Sequence, residues 1–175
     1  MILPIIFYGN PILRKKNLDI DAILYKKEIN QLIKDMFETI HQVKGLGLAA
    51  PQIGKNIRIF IVDIPFIIGK KVKNYKEVFI NAKIIKLYGK EYFFNEGCLS
   101  FPGINSYIKR KSNVLIEYYN NNLEKKKKIF TGICARVILH EYDHIEGKLF
   151  IDYLSKRKKK LIEKKLSSIK NMNSE

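Results

Sequence analysis

Tryptophan is absent from this chain, and cysteine, histidine and proline are scarce, numbering two, three and five among 175 residues. Two cysteines, Cys98 and Cys134, exclude a disulfide framework as the source of stability. No apolar run approaches the roughly 18 residues that a membrane span requires, so no membrane partner is expected. Residues 1–8 (MILPIIFY) lack the basic leader and small-residue cleavage site of a signal peptide, and no Arg- and Ser-rich transit segment follows. A cytoplasmic location is therefore expected. Acidic residues are outnumbered 17 to 33 by basic ones, giving a net charge of +16. Charge of that sign attracts RNA and anionic surfaces. Lysine and asparagine are nonetheless spread throughout, and most lysines read as a solvated surface; nothing points to DNA. No repeat or linker divides the chain, and 46% hydrophobic content suffices for one core. A single domain is expected, with its body in 1–154 and a basic C-terminal helix and frayed tail in 155–175.

The most informative stretch is His140-Glu141-Tyr142-Asp143-His144. At about 100° per residue, histidines four apart on a helix project from nearly the same side, one turn apart, as two ligands of one metal ion must. Glu141 points to a neighbouring azimuth, where a carboxylate can take a proton from water at the metal. The pattern His-Glu-x-x-His thus reads as two ligands and a general base. Asp143 reads as a carboxylate that orients a neighbouring group. Cys134, six residues before His140 and about 120° off its face, should not share the ion. His41 reads as structural, near the end of its helix.

Helical spacing of Ile23, Ile29, Leu32, Ile33, Met36, Phe37, Ile40 and Val43 predicts a helix from about Asp19 to Lys44, capped by Asp19 or Asp21. Gly45-Leu46-Gly47-Leu48 stops it and permits close approach of another backbone. Strands are predicted over 58–64, stopped by Pro65, then, after a loop through Gly69, over 78–81 and 83–88. Glycine and proline interrupt regular structure around 96–103. A hairpin is predicted from 114–119 and 126–130 around the Asn120–Asn122 turn, edged by Lys125–Lys128, which discourages sheet aggregation. Thr131 or Gly132 opens the metal helix and Gly147 ends it. Leu154, Leu161, Ile162, Leu166 and Ile169 mark the basic C-terminal helix, which frays into Asn171–Glu175.

Two histidines leave a metal short of ligands. Cys98, between small residues in an exposed-looking turn, suits a thiolate ligand. Cys98, His140, His144 and a water make a three-ligand site with one open position. Such a set accepts zinc, iron(II), cobalt or nickel, and affinity alone does not choose among them.

Three motifs, GLGLAAPQ at 45–52, EGCLS at 96–100 and HEYDH at 140–144, occur in the order and at spacings compatible with the peptide deformylases, and the chain resembles that family from Ile5 to about Leu154. Flanking GNPILR (9–14) and GKLFIDYL (147–154) are also similar. The resemblance implies an α+β fold of antiparallel β-sheets wrapped around a central metal-binding helix, with an N-terminal helix and a basic C-terminal helix. It implies a catalytic domain in 1–154 and one divalent ion, usually iron(II), with zinc, nickel or cobalt possible in purified protein. The ligands would be Cys98, His140 and His144. The activity implied is hydrolytic removal of the formyl group from the N-terminal formyl-methionine of nascent polypeptides. A metal-activated water would attack the formyl carbon, Glu141 would carry the proton, and the Gln52 side chain and Leu99 backbone N–H would donate to the developing oxyanion. Peptide would add as a strand against Leu46 and Gly47 on one side and Gly97 on the other. Leu46, Ile133 and Val137 would line the methionine pocket.

The chain departs from most relatives at Leu139, where glutamine is usual, and at Ala82, which replaces a proline after Asn81. Leu139 is expected to loosen hydrogen bonding around the ligands. A general His-Glu-x-x-His metallopeptidase and a basic RNA-binding protein with a structural metal are the competing readings. The basic helix over 156–165 is a candidate for contact with ribosomal RNA.

Overall fold

The computed structural model of the chain describes residues 1–68 and 70–174; the turn expected through Gly69 and the last tail residue, Glu175, lie outside that range. Helix α1 (Lys26–Val43) is followed by strands β1 (Gly47–Ala49), β2 (Ile59–Ile68), β3 (Lys71–Gly97), β4 (Asn105–Tyr119) and β5 (Lys125–Thr131). Helix α2 (Gly132–Ile145) comes next, then α3 (Lys156–Leu161) and α4 (Glu163–Asn171). Short 3-10 turns occupy Pro11–Arg14, Ala50–Ile53, Phe150–Tyr153 and Met172–Ser174.

The strands form one antiparallel sheet in the order β1-β2-β3-β4-β5. Helix α2 touches β1, β2, β4 and β5, so the sheet curves around the helix that carries the histidines. The curvature has a local cause. Against β4, β3 shifts register between Ile80 and Lys83, between Ile84 and Lys86, and between Tyr88 and Glu91, and such irregularities bend a strand and increase its twist.

Strand β2 explains its own sequence. Phe60, Val62 and Ile64 pack with Ala135, Ile138 and Ile145 of α2, whereas Ile59 and Ile61 pack with Ile29, Ile33, Met36 and Ile40 of α1. A strand covered on both faces needs an unbroken apolar run rather than alternation. Full burial of an Ile- or Phe-sized side chain contributes about 1.5–3 kcal/mol, so one face of β2 anchors α2 and the other anchors α1. A third cluster joins Leu13, Phe101, Ile108, Phe150 and Leu154 to Ile169 of α4.

Four local expectations need correction. Helix α1 begins at Lys26 rather than near Asp19, because the Asp21 carboxylate accepts from the N–H groups of Ile23 and Leu24 and holds a separate turn. Ile23 is consequently 81% exposed. Strand β2 runs through Pro65; β1 pairs only with Phe60–Val62, so one side of β2 is open there and a missing N–H costs no bond on it. The two strands expected over 78–88 are parts of the single long β3, which reaches Gly97. The C-terminal helix is broken at Ile162 into α3 and α4, and Met172–Ser174 continues as a 3-10 turn. The hairpin turn is as expected, although its first arm begins at Asn105 rather than at 114: Asn120 Oδ1 accepts from the N–H groups of Asn122 and Glu124, while Leu123 takes φ +62°.

Candidate metal centre and active site

Helix α2 starts at the end of β5, with Thr131 as its N-cap. That short connection fixes its rotation: Leu139 turns into the sheet, and His140, Glu141 and His144 turn toward the end of β3. There the chain leaves β3 at Gly97 and turns, with Phe101 N–H donating to Cys98 O at 2.9 Å. The turn delivers Cys98. One donor atom from each of Cys98, His140 and His144 lies within 4.8 Å of the others, with Sγ and His144 Nε2 3.2 Å apart.

These residues fit a divalent cation. A soft thiolate and two imidazoles suit several transition metals, and three protein donors leave a position for water or substrate. Burial pushes the His144 imidazole well below its usual range and keeps it neutral, the form that binds metal. Burial also acts to lower His140, but the neighbouring Cys98 sulfur and Glu96 carboxylate raise it more, and a field that favours a proton there favours a cation. The Nδ1 atom of His140 donates to Glu96 Oε1 at 2.9 Å, leaving Nε2 for the centre. Nδ1 of His144 has no partner among the described residues, so that ring is held by packing.

Glu141 is buried, and its Oε2 makes no hydrogen bond among the described residues. Burial pushes its carboxyl up to about 7, suited to exchanging a proton near neutrality. Gly47 of β1 is what admits it: a Cβ there would lie 2.7 Å from Glu141 Cγ and Oε1. Gly47→Ala is therefore expected to displace the carboxylate and lower kcat by at least about tenfold while metal content is unchanged. Elemental analysis beside steady-state kinetics checks this, and an unaltered kcat would separate Gly47 from the base.

The Gln52 amide is fixed in orientation. Its Oε1 accepts from Ala49 N–H at 2.9 Å, which turns Nε2 toward Ser100 Oγ at 3.2 Å and Cys98 Sγ at 3.6 Å. A cleft of about 310 Å³ opens beside Cys98 and His140 and is lined by Leu46, Gly47, Gln52, Gly97, Leu99, Ile133, Val137 and Glu141. All the residues assigned to substrate in the sequence thus border one cavity. Cys134 lies apart from the ligands, packed against the α2–sheet core. His41 pairs with the Asp63 carboxylate, not with terminal carbonyls.

Motif spacing did not reveal what holds the centre in place. Glu96, 5% exposed, accepts from His140, from Nε and Nη2 of Arg110 at 2.9 and 3.1 Å, and from Nη1 of Arg136 at 3.2 Å. Arg110 also donates to Asp143 at 2.7 Å, as does the Tyr153 hydroxyl at 2.8 Å. Asp143 therefore orients Arg110, and Glu96 is the carboxylate that orients His140. Burial would raise the Glu96 carboxyl, but hydrogen bonds from His140 and Arg110 outweigh it and hold it at about 2. Glu96 stood inside the EGCLS motif, whereas Arg110 and Arg136 carried no motif at all. Leu139 lies among apolar core residues. Asn81 takes φ +52°, and nothing in the structure explains Ala82 in place of proline.

Known proteins share this fold and much of this sequence. The sequence profile of the family described as Polypeptide deformylase matches residues 2–160. The chain is 54% identical over 152 residues to a peptide deformylase of Karelsulcia muelleri, covering 87% of this chain and 78% of that one. It is 47% identical over 178 residues to the Flavobacterium johnsoniae peptide deformylase, covering 97% and 90%. Among solved structures, a peptide deformylase from Legionella pneumophila superposes with a TM-score of 0.86 at 33% identity, over 99% of this chain and 98% of that one. The enzyme from Thermotoga maritima superposes with a TM-score of 0.77 at 33% identity, over 89% and 99%. With its profile matched over most of its length and its fold shared throughout, the chain belongs to the polypeptide deformylase family.

Proposed function

We propose that the chain hydrolyses the formyl group from the N-terminal formyl-methionine of newly synthesised polypeptides in the cytoplasm, using one divalent ion held by Cys98, His140 and His144. The observation that carries this is the convergence of those three donors beside the buried Glu141 at the end of an apolar cleft. Iron(II) is the ion we assign, and zinc, nickel and cobalt suit the same donors. Bound there, a divalent cation supplies Lewis acidity toward water and the formyl oxygen. Glu141 takes a proton from the attacking water and returns it to the amine nitrogen as the C–N bond breaks, releasing formate and a free N-terminus. Gln52 Nε2 and the Leu99 N–H donate to the formyl oxygen as negative charge develops on it. Leu46, Gly47 and Gly97 offer backbone to an extended peptide, and Leu46, Ile133 and Val137 enclose the methionine side chain.

The test is formate release from a formyl-methionyl tripeptide by protein purified without oxygen and loaded with iron(II) or nickel. Turnover with about one metal per chain is expected. No turnover at full metal content would return the chain to the metallopeptidase reading. Gln52→Ala is expected to lower kcat by about 10²–10³ with little change in KM, since its donor acts mainly on the developing charge. Loss confined to KM would instead make Gln52 a substrate-binding residue.

The exposed lysines of α3 and α4, which border a concavity with Tyr8, are the surface we assign to ribosomal RNA. We take 155–175 as one domain with 1–154, because Ile169 is buried with Leu13 and Phe150. Deleting the helices would strip that core, so Lys156, Lys159, Lys160 and Lys164 are better changed to glutamine. Undiminished co-sedimentation with ribosomes at low salt would remove the assignment.

A further inference from the structure

Ser100 closes the EGCLS motif and is fully buried beside Gln52. Its Oγ accepts from Gln52 Nε2 at 3.2 Å, and Gln52 is itself 1% exposed. The two residues are 48 apart in sequence, one on the Ala50–Ile53 turn and the other on the turn that delivers Cys98. A third segment is bonded to both turns. Ile6 N–H donates to Gln52 O at 2.7 Å, and Tyr8 N–H donates to Ser100 O at 2.9 Å. The Tyr8 ring also stacks on Phe101, with centroids 4.9 Å apart. Residues 6–8 therefore hold the turn that carries the Gln52 amide against the turn that carries the metal-ligand sulfur.

That arrangement matters because of the shape of an amide. A primary amide is planar, with one oxygen and two N–H groups, so anchoring two of the three fixes the direction of the last. Ala49 N–H holds Oε1 at 2.9 Å and Ser100 Oγ holds one N–H, which leaves the second toward Cys98 Sγ at 3.6 Å. Sulfur is a weak acceptor, so an oxygen arriving beside the ligands takes this N–H at little loss. Without the Ser100 hydroxyl, the terminal torsion of Gln52, which has no sharp rotamer of its own, would swing about its remaining anchor. We propose that Ser100 is a positioning residue for the hydrolysis: its hydroxyl takes one N–H of Gln52 so that the other is aimed at the formyl oxygen before substrate arrives. The proposal rests on the deformylase reading of the site and adds to it a residue that acts only through Gln52.

Ser100→Ala removes one oxygen and leaves the volume nearly unchanged. It is expected to lower kcat for a formyl-methionyl tripeptide about fivefold, the size of one neutral hydrogen bond, with KM and metal content unaltered. Combined with Gln52→Ala it should do nothing further, to within about twofold, because no amide is left to aim. An unaltered kcat, a loss carried by KM, or an equal loss in the Gln52→Ala background overturns the proposal. Nuclear magnetic resonance of the zinc-loaded wild type gives a readout that needs neither variant nor turnover. One Gln52 side-chain amide proton should exchange with water much more slowly than the other, and the slow one should be lost in Ser100→Ala. That difference supports the positioning even if no formate is released; two protons that exchange alike overturn it even if formate is.

Discussion

Glu141→Gln is expected to lower kcat by two to four orders of magnitude, the range in which a positioned acid–base group contributes. The substitution preserves shape, which matters where Gly47 leaves no slack around the side chain. It removes the proton acceptor but no metal donor, so metal content should match wild type. The pH profile is the sharper readout. A base must be ionised to act, so wild-type kcat/KM should rise with pH through the Glu141 pKa. Burial puts that at about 7, and the charge of a bound cation draws it lower. The acid limb therefore falls at or below about 7 in wild type and disappears in the variant's residual activity. An undiminished kcat with metal in place would assign the proton transfer to another group.

Glu96→Gln has the largest expected effect on stability. The wild-type carboxylate takes hydrogen bonds from two buried arginines and from His140. A neutral amide leaves that positive charge uncompensated and turns an NH2 group against guanidinium N–H groups. Removing one partner of a buried ion pair typically costs 3–5 kcal/mol, and about that loss is expected at neutral pH. Metal affinity should fall about 10–100-fold as His140 loses the group that orients it, measurable by competition with a chelator. Acid titration gives the sign. The Glu96 carboxyl is held at about 2 against an ordinary value near 4.5. Its contribution is thus fully present above about 4.5 and lost as pH falls toward 2. Denaturant unfolding at several pH values should show a steep wild-type decline over that window and a flatter one in the variant. Parallel curves would mean that Glu96 carries no such coupling.

What the sequence made legible depended on range. The α2 site lay within one pentapeptide, and helical period alone placed both histidines on one side. The hairpin at Asn120 was local too, since an Asx side chain closes its own turn. Helix α1 was found by periodicity but mis-started, because Asp21 caps a turn that competes with the helix. Strand β2 was cut short at Pro65, since no local signal says where a neighbouring strand ends. Arg110 and Arg136 were invisible for a related reason: an arginine in a strand or basic chain reads as solvated until a distant Glu96 and Asp143 close over it.

The third core cluster bears on how the protein is born. Ile169 is buried beside Phe150, and Asn173 Nδ2 donates to Tyr8 O at 2.9 Å. Phe150 in turn lies 6.0 Å, centroid to centroid, from the His140 ring. The wall behind His140 is thus completed from α4, about thirty residues further along the chain. Synthesis is vectorial and earlier segments fold first. A nascent copy from which α4 has not yet emerged therefore holds all three motifs while the wall behind His140 is missing, so ordering of the centre is expected to wait for that helix.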